Sequence, residues 1–321
     1  MNIFIVGGTG FLGYHSALEF LRRGDGVTAF GLPPIPQDDA FLGNVRVIVR
    51  SLEQTSDDEL CNMMGGHDAL VFAAGADDRF TPRRPAFPYF HHGNVETTRR
   101  VLSLAKQAGI RRAVVLGSYF VHFDRLLPEL KLALHHPYIH SRVEQEDVCR
   151  ELSVPGFDVM VLELPYIFGG MPNRIPLWTP LIKYIRSSNR LLYMRGGSAC
   201  VSVQTVAEAV VGAVKQGSGG GVYPIGEENL TWDEMLERLG QACGRHVRVI
   251  HLPAWMLSIA GWSIWLSRRL QGREGGLDMR YFAPLQTACL FFDPLPAQKA
   301  LGFHVAGLES AFKDTVYAAG V

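Results

Sequence analysis

The chain has no surplus charge of either sign: Lys plus Arg and Asp plus Glu stand at 31 each in 321 residues. An overall field that would draw nucleic acid or an anionic surface is thereby excluded. Cysteine is sparse, and the five present (Cys61, Cys149, Cys200, Cys243, Cys289) are widely spaced with no C-x-x-C or metal-ligand pattern. That spacing argues against a disulfide framework or a zinc site and fits reduced thiols. The sequence holds no low-complexity tract and no apolar run of the about 20 residues that a bilayer-spanning helix needs. Residues 252–266 come nearest, nearly uncharged and carrying Trp255, Trp262 and Trp265, but Pro253 and Gly261 interrupt them. They read first as a buried or partly buried helix of a second domain, and otherwise as a wall over a substrate or a membrane-surface contact. Stable membrane insertion is not expected. The chain opens on a strand-like run with no room for a signal peptide, so a cytoplasmic location is the expectation.

What is there is an alternation. Short β-branched runs at residues 3–6, 27–30, 45–49, 70–73, 113–116 and 159–162 are separated by helical stretches, among them 12–23, 95–108 and 138–152. Almost wholly apolar strands between helices indicate a parallel sheet covered on both faces. After Gly169-Gly170 the pattern changes, and residues 201–203 with the helix 205–215 look like a return to the sheet. The expected fold is α/β: a Rossmann-type doubly wound parallel sheet with a smaller C-terminal α/β substrate domain. Residues 1–170 plus about 200–226 would form the first domain, and about 171–199 and 227–321 the second.

Gly7, Gly10 and Gly13 stand at G-x-x-G-x-x-G spacing between the first strand and the first helix. A side chain at such a turn would block the backbone, and one over the helix start would hold a pyrophosphate away from the free N–H groups. Strand, loop, helix and second strand occur in that order within the first 30 residues, as a dinucleotide unit requires. The loop residues Gly7, Thr9, Gly10, Phe11, Leu12 and Gly13 are therefore candidate contacts to NAD or NADP. The second strand ends in Phe30-Gly31-Leu32 and then Pro33-Pro34. Neither the acidic residue of NAD sites nor a basic one for NADP is present, although Arg50 could reach a 2′-phosphate.

Together with Val71-Phe72-Ala73-Ala74-Gly75, Asn94-Val95-Glu96-Thr97-Thr98, Ser118 and Tyr138-Ile139-His140-Ser141-Arg142, the loop makes the chain resemble the extended short-chain dehydrogenases/reductases. These include sugar-nucleotide epimerases and dehydratases. Pro165-Tyr166-Ile167-Phe168-Gly169 looks like that family's segment beside the nicotinamide. The resemblance implies further cofactor contacts at Ala73, Ala74, Gly75, Asn94, Tyr138, Arg142, Pro165 and Ile167. It also implies that Tyr138 exchanges a proton with a substrate oxygen, that Ser118 orients that oxygen, and that a cation four residues on serves the ribose and the tyrosinate. Arg142 stands where the family has lysine, and its fixed charge cannot relay a proton. The resemblance further implies a homodimer on the helices 95–108 and 138–152, through Val101, Leu104, Ala108, Val143, Val148 and Leu152.

Other departures bear on the substrate. Glu163 lies where many relatives have arginine, Ser198 near the place of a diphosphate-gripping arginine, and Thr205 where aspartate is frequent. A nucleotide-diphosphate pocket needs cations, and Arg174, Lys183, Arg186, Arg190 and Arg195 read mainly as a solvated face. Residues 76–92, with Asp77, Asp78, Arg79, Arg83, Arg84, Phe87, Tyr89, Phe90, His91 and His92, would lie at the carboxyl edge of the sheet as a pocket wall. No carboxylate stands at ligand spacing with the His pair, and no metal is expected. The expected function is NAD(P)-dependent hydride transfer at a secondary alcohol or ketone of a small molecule. The alternatives are a sugar-nucleotide epimerase or dehydratase, and a non-catalytic dinucleotide-binding sensor.

Overall fold

The computed structural model describes residues 1–320. In chain order the strands are β1 (Asn2–Val6), β2 (Gly26–Gly31), β3 (Val45–Val49), β4 (Ala69–Phe72), β5 (Arg112–Ser118), β6 (Asp158–Leu164), β7 (Tyr166–Phe168), β8 (Arg190–Tyr193), β9 (Gly197–Ser202), β10 (Val222–Pro224), β11 (Glu228–Thr231), β12 (Arg248–His251) and β13 (Cys289–Leu290). Seven of them form one parallel sheet in the order β10-β6-β5-β4-β1-β2-β3. Alternate residues feed two cores. Ile3, Ile5, Ala29, Val71 and Met160 meet the helices Phe11–Arg22 and Val203–Gln216 on one face. Phe4, Val6, Phe30, Leu70 and Phe72 meet Leu60, Met64, Val101 and Leu102 on the other. Both faces are buried, which is why these strands are apolar throughout. Strand order reverses at β1, so the carboxyl ends of β1 and β4 part and open a crevice.

One sequence expectation needs correction. The strand expected at residues 201–203 does not rejoin the large sheet. β9 ends at Ser202, whose hydroxyl accepts the Thr205 N–H at 3.1 Å and starts a helix, and β9 centres a smaller sheet with β11, β13 and β7. The chain returns to the large sheet through the helix Val203–Gln216 and then β10 beside β6. Of the residues named for a dimer, Val101, Leu104 and Val148 are buried within the chain, and Ala108, Val143 and Leu152 are half-buried. The helices Thr97–Gln107 and Pro137–Leu152 also expose charge, with Arg99 bonded to Glu151 at 2.6 and 2.7 Å. The tryptophan-rich segment forms the helix Ala254–Leu270, half-buried along one side at Leu257, Ser258, Trp265 and Arg268, with Gly261 enclosed.

Candidate active site

The three loop glycines divide the work. Gly7 has φ +83°, and a Cβ there would stand 2.6 Å from the Ala73 carbonyl oxygen; a Cβ on Gly13 would strike the Gly7 carbonyl. These two let β1, the first helix and the β4 end close on one another. Gly10 differs, because a Cβ there would meet only the Gly7 oxygen at 3.1 Å and, across open space, Arg174 Nη1 at 3.9 Å. No side chain caps the helix that starts after Gly10, so its first-turn N–H groups and its dipole are free for an anion. Arg174 is exposed and adds a cation at that opening. The Thr9 hydroxyl turns away and donates to Leu32 O at 2.7 Å. A Cβ on Gly31 would run into that same hydroxyl, so Thr9 fills the end of β2 where other dinucleotide sites carry a charge. Arg50 is drawn to Glu59 at 3.2 Å. Phe11, Leu12, Ala73 and Ile167 are half-buried in one apolar cluster along the crevice. Ala74 packs toward the opposite core, and Pro165 is buried between β6 and β7.

Beyond β4, Gly75 is exposed with φ +149°, and a Cβ on it would lie 3.4 and 3.5 Å from Arg142 Nη2 and Nη1. The guanidinium is held by Nη1, which donates to Gln145 Oε1 at 2.7 Å and to Leu116 O at 3.4 Å. Gln145 is itself anchored on Thr98 Oγ1 at 2.8 Å. The buried Arg142 Nε has no partner. Asn94 is fully enclosed: its Oδ1 accepts from Ala76 N at 2.8 Å and its Nδ2 donates to Ser141 Oγ at 2.9 Å. Its side chain is consumed inside the protein. It ties the β4 loop to the tyrosine helix from a single π-helical turn, His92–Glu96.

Tyr138 begins the helix Pro137–Leu152, with its N–H donated to Gly276 O at 3.0 Å. Its ring sits between Phe90 and Phe120, at centroid distances of 5.9 and 6.5 Å. Arg142 Cζ lies 5.2 Å from the ring centroid. Ser118 is buried at the end of β5 and caps the following helix through Phe120 N at 3.4 Å. Burial raises the phenol pKa of Tyr138; the Arg142 charge pulls it down, Asp78 pushes it up, and hydrogen bonds from Ser118 and Arg142 lower it further. Burial wins, so the Tyr138 phenol rests neutral.

Residues 7–175 match the family model described as NAD(P)H-binding. The chain belongs to that family. A ketoreductase of Stigmatella aurantiaca, acting on 4-hydroxy-2-methyl-3-oxo-4-farnesyl-3,4-dihydroquinoline-1-oxide, is 28% identical over 234 residues, 70% of this chain and 67% of its own. The crystal structure of gox2253 superposes with a TM-score of 0.77 at 22% identity, over 98% of this chain and 97% of that one. UDP-glucose 4-epimerase of Bifidobacterium longum, solved with NAD+ and UDP, gives 0.73 at 16% identity over 100% and 98%. The fold is that of the extended short-chain dehydrogenases/reductases, and the cofactor is NAD(P). The glycine cradle, the anion-ready helix start and the unpartnered Arg142 Nε fit such a group.

In this NAD(P)H-binding protein, the site includes one side chain to which the sequence assigned no role of its own. Asp78, on the loop after β4, is half-buried, and burial with the neighbouring Asp77 carboxylate pushes its pKa up to about 7. It acts electrostatically on Tyr138 and on Arg142. The sequence signal was its place at the carboxyl edge of the sheet, within the proposed pocket wall. Of the rest of that wall, Phe90 packs on Tyr138, Arg79 is bonded to Asp77 at 2.6 Å, and His91 and His92 face Glu96 at 3.3 and 2.7 Å. Ser198 is fully buried, its hydroxyl 3.0 Å from that of Tyr119. Glu163, also buried, bonds Arg125 at 2.6 Å. Neither replaces an arginine in the cleft.

Proposed function

We propose that the protein is an NAD(P)-dependent ketoreductase that reduces a ketone, or oxidises the matching secondary alcohol, on a small and largely apolar molecule. The observation that carries this reading is the surrounding of Tyr138. Phe90, Tyr119, Phe120 and Leu285 are buried in its cluster, with Tyr166 and Leu277 partly so, and Arg142 is the cation beside the phenol. A sugar-nucleotide substrate would need cations for its diphosphate, whereas Lys183, Arg186, Arg190 and Arg195 are exposed on the outer surface and Arg174 stands at the cofactor loop. The farnesylated ketone named for the Stigmatella aurantiaca relative is a substrate of matching character.

When bound, the nicotinamide supplies or accepts the hydride. The Ser118 hydroxyl holds the substrate oxygen, and Tyr138 donates its proton to that oxygen. Arg142 then stabilises the tyrosinate left behind, with its free donors on the ribose. The aromatic wall excludes water from the reacting carbon. Tyr138→Phe is expected to lower turnover of apolar ketones by about 10²–10⁴-fold while NAD(P)H affinity by calorimetry stays unchanged. Equal turnover by this variant, or reaction of UDP-sugars but no ketone in the screen, refutes the reading.

A further inference from the structure

The helix Ala254–Leu270 carries an exposed apolar ridge. Trp255, Ile259, Trp262, Leu266 and Leu270 are 62, 59, 54, 50 and 81% exposed. Their spacing of four, three, four and four residues places them on one line along the helix. The opposite face is the seated one: Leu257, Ser258, Gly261, Trp265 and Arg268 are the residues turned inward, and a Cβ on Gly261 would strike the Met279 carbonyl. At about 25 Å the helix is shorter than the roughly 30 Å hydrocarbon core of a bilayer. It also ends in Arg268 and Arg269, so it cannot span one, and no helix among the described residues is long and apolar enough to do so.

Beside the carboxyl end of this ridge lies a cluster of cations that the zero net charge of the chain conceals. A cavity of about 40 Å³ is lined by Trp265 and five arginines, Arg84, Arg268, Arg269, Arg273 and Arg280, against two carboxylates. Both carboxylates are engaged: Glu274 accepts from Ala86 N at 2.7 Å and Asp278 pairs with Arg280 at 2.6 Å. Among the described residues Arg84, Arg268, Arg269 and Arg273 have no acidic partner. Arg280 and Arg269 stack on Trp265, with Cζ 4.5 and 5.3 Å from its ring centroid. An apolar line of tryptophan, isoleucine and leucine that ends beside a cluster of arginines matches the boundary of an anionic bilayer, where indoles sit among headgroups and guanidinium groups meet phosphates.

We propose that this helix docks the protein on an anionic phospholipid surface, the ridge entering the headgroup–acyl boundary and the arginine cluster holding lipid phosphates. The consequence for the site is geometric. The chain runs from the helix end through Gly275 to Asp278, whose segment supplies the Gly276 carbonyl that accepts the Tyr138 N–H and the Leu277 side chain packed in the Tyr138 cluster. Docking would place the rim of the catalytic cleft at the membrane surface. The inference rests on the ridge and the arginines and does not require the ketoreductase reading.

The test is co-sedimentation of the full chain with extruded vesicles, one set of mixed phosphatidylglycerol and phosphatidylcholine and one of phosphatidylcholine alone. Tryptophan emission is recorded in parallel. Binding to the anionic vesicles is expected to be about tenfold tighter or more, with a blue shift. Replacing Trp255, Ile259 and Trp262 by Ser should abolish the shift and weaken binding at least about tenfold. Arg268→Gln with Arg269→Gln should remove the preference for anionic lipid. Trp255, Ile259, Trp262 and Arg269 are exposed and Arg268 is half-buried, and circular dichroism with unchanged NAD(P)H affinity certifies the fold of each variant. Absence of vesicle binding overturns the proposal. So does competition by inorganic phosphate with no effect of the ridge changes, which would make the cluster a site for a free anion. Light scattering that shows a dimer dissociated by Trp262→Ser would assign the ridge to a second copy of the chain and overturn it as well.

Discussion

Two helices of similar apolar character have opposite fates. Val203–Gln216 buries ten residues, nearly all Val and Ala with Gly212, whereas Ala254–Leu270 buries Gly261 alone. Both carry few charges, and neither shows a clean polar stripe to mark an outward face. The difference lies in what each can lie against. Small side chains on Val203–Gln216 allow close approach to the helix Phe11–Arg22 and to Leu301, whose carbonyl a Cβ on Gly212 would strike. The bulky Trp, Ile and Leu side chains of the second helix stand on the face away from its narrow seat at Met279. Apolarity records that a surface avoids water; size and neighbours decide whether the chain itself supplies the cover.

The sharpest way to break the comparison is to put the same charge into each helix. Val210→Asp would bury an unpaired carboxylate at a fully enclosed position of the first core. It is expected to cost about 4 kcal/mol or more and to leave little folded protein. Trp262→Asp, on the exposed ridge, should change stability by no more than about 0.5 kcal/mol. Urea unfolding followed by circular dichroism distinguishes the two. A loss at Trp262 approaching that at Val210 would mean that the ridge is covered within the protein.

The same contrast explains how much was readable beforehand. β3 lies at residues 45–49 as its Val-Arg-Val-Ile-Val run indicates, and the other expected strands of the large sheet fall within the observed ones, give or take a residue at the ends. Strands covered on both faces announce themselves by continuous apolarity. β9 reads Gly-Ser-Ala-Cys-Val-Ser; its small residues give no such run, and its pairing with β11, β13 and β7 depends on segments far along the chain. Within the site, Gly7, Gly10 and Gly13 were visible as a set, but which of them faces the ligand is decided by Ala73 and Gly7 carbonyls that only the fold brings near. Asn94 reads as a cofactor contact from its neighbourhood in the sequence, and the fold adds bonds from its amide to Ala76 and Ser141 that the sequence does not show. Asp78 gained its character from a loop folding over Tyr138, which no local pattern records.

A carboxylate already present in a core makes the comparison quantitative. Glu146, on the helix that carries Tyr138 and Arg142, is almost fully buried; burial first and the Glu163 charge second push its pKa up to about 8. Arg125 reaches both glutamates, at 2.8 and 2.6 Å. In the unfolded chain an ordinary glutamate ionises near 4.3. Glu146 therefore favours the folded state fully below that pH, and its contribution is lost as pH rises toward 8. Glu146→Gln keeps an oxygen for Arg125 without the proton to lose. Its melting temperature relative to the parent should be flat below about pH 4.5 and rise by a few degrees up to about pH 8, equivalent to a few kcal/mol at most. A difference that does not change with pH would show that this carboxyl titrates normally and that burial there carries no electrostatic cost.

Half-burial should give the smallest effect, and Asp78 is the place to look for it. Its carboxyl, with pKa about 7, is neutral in acid and negative in base, and only the negative form opposes loss of the Tyr138 proton. In the proposed reaction Tyr138 is the base for alcohol oxidation, so the rate should climb as the phenol ionises. Asp78→Asn removes the opposing charge and lowers the phenol pKa. The basic limb of the oxidation profile should then move to lower pH by roughly half a unit, within the range that one neighbouring charge produces at a partly solvated site. Below pH 7 the parent Asp78 is mostly protonated, so the two proteins should run together there and separate only above it. That divergence is the diagnostic, since a structural defect would depress the rate at every pH. Coincident profiles through the alkaline range would remove Asp78 from the electrostatics of Tyr138 and leave Arg142 as the charge that sets it.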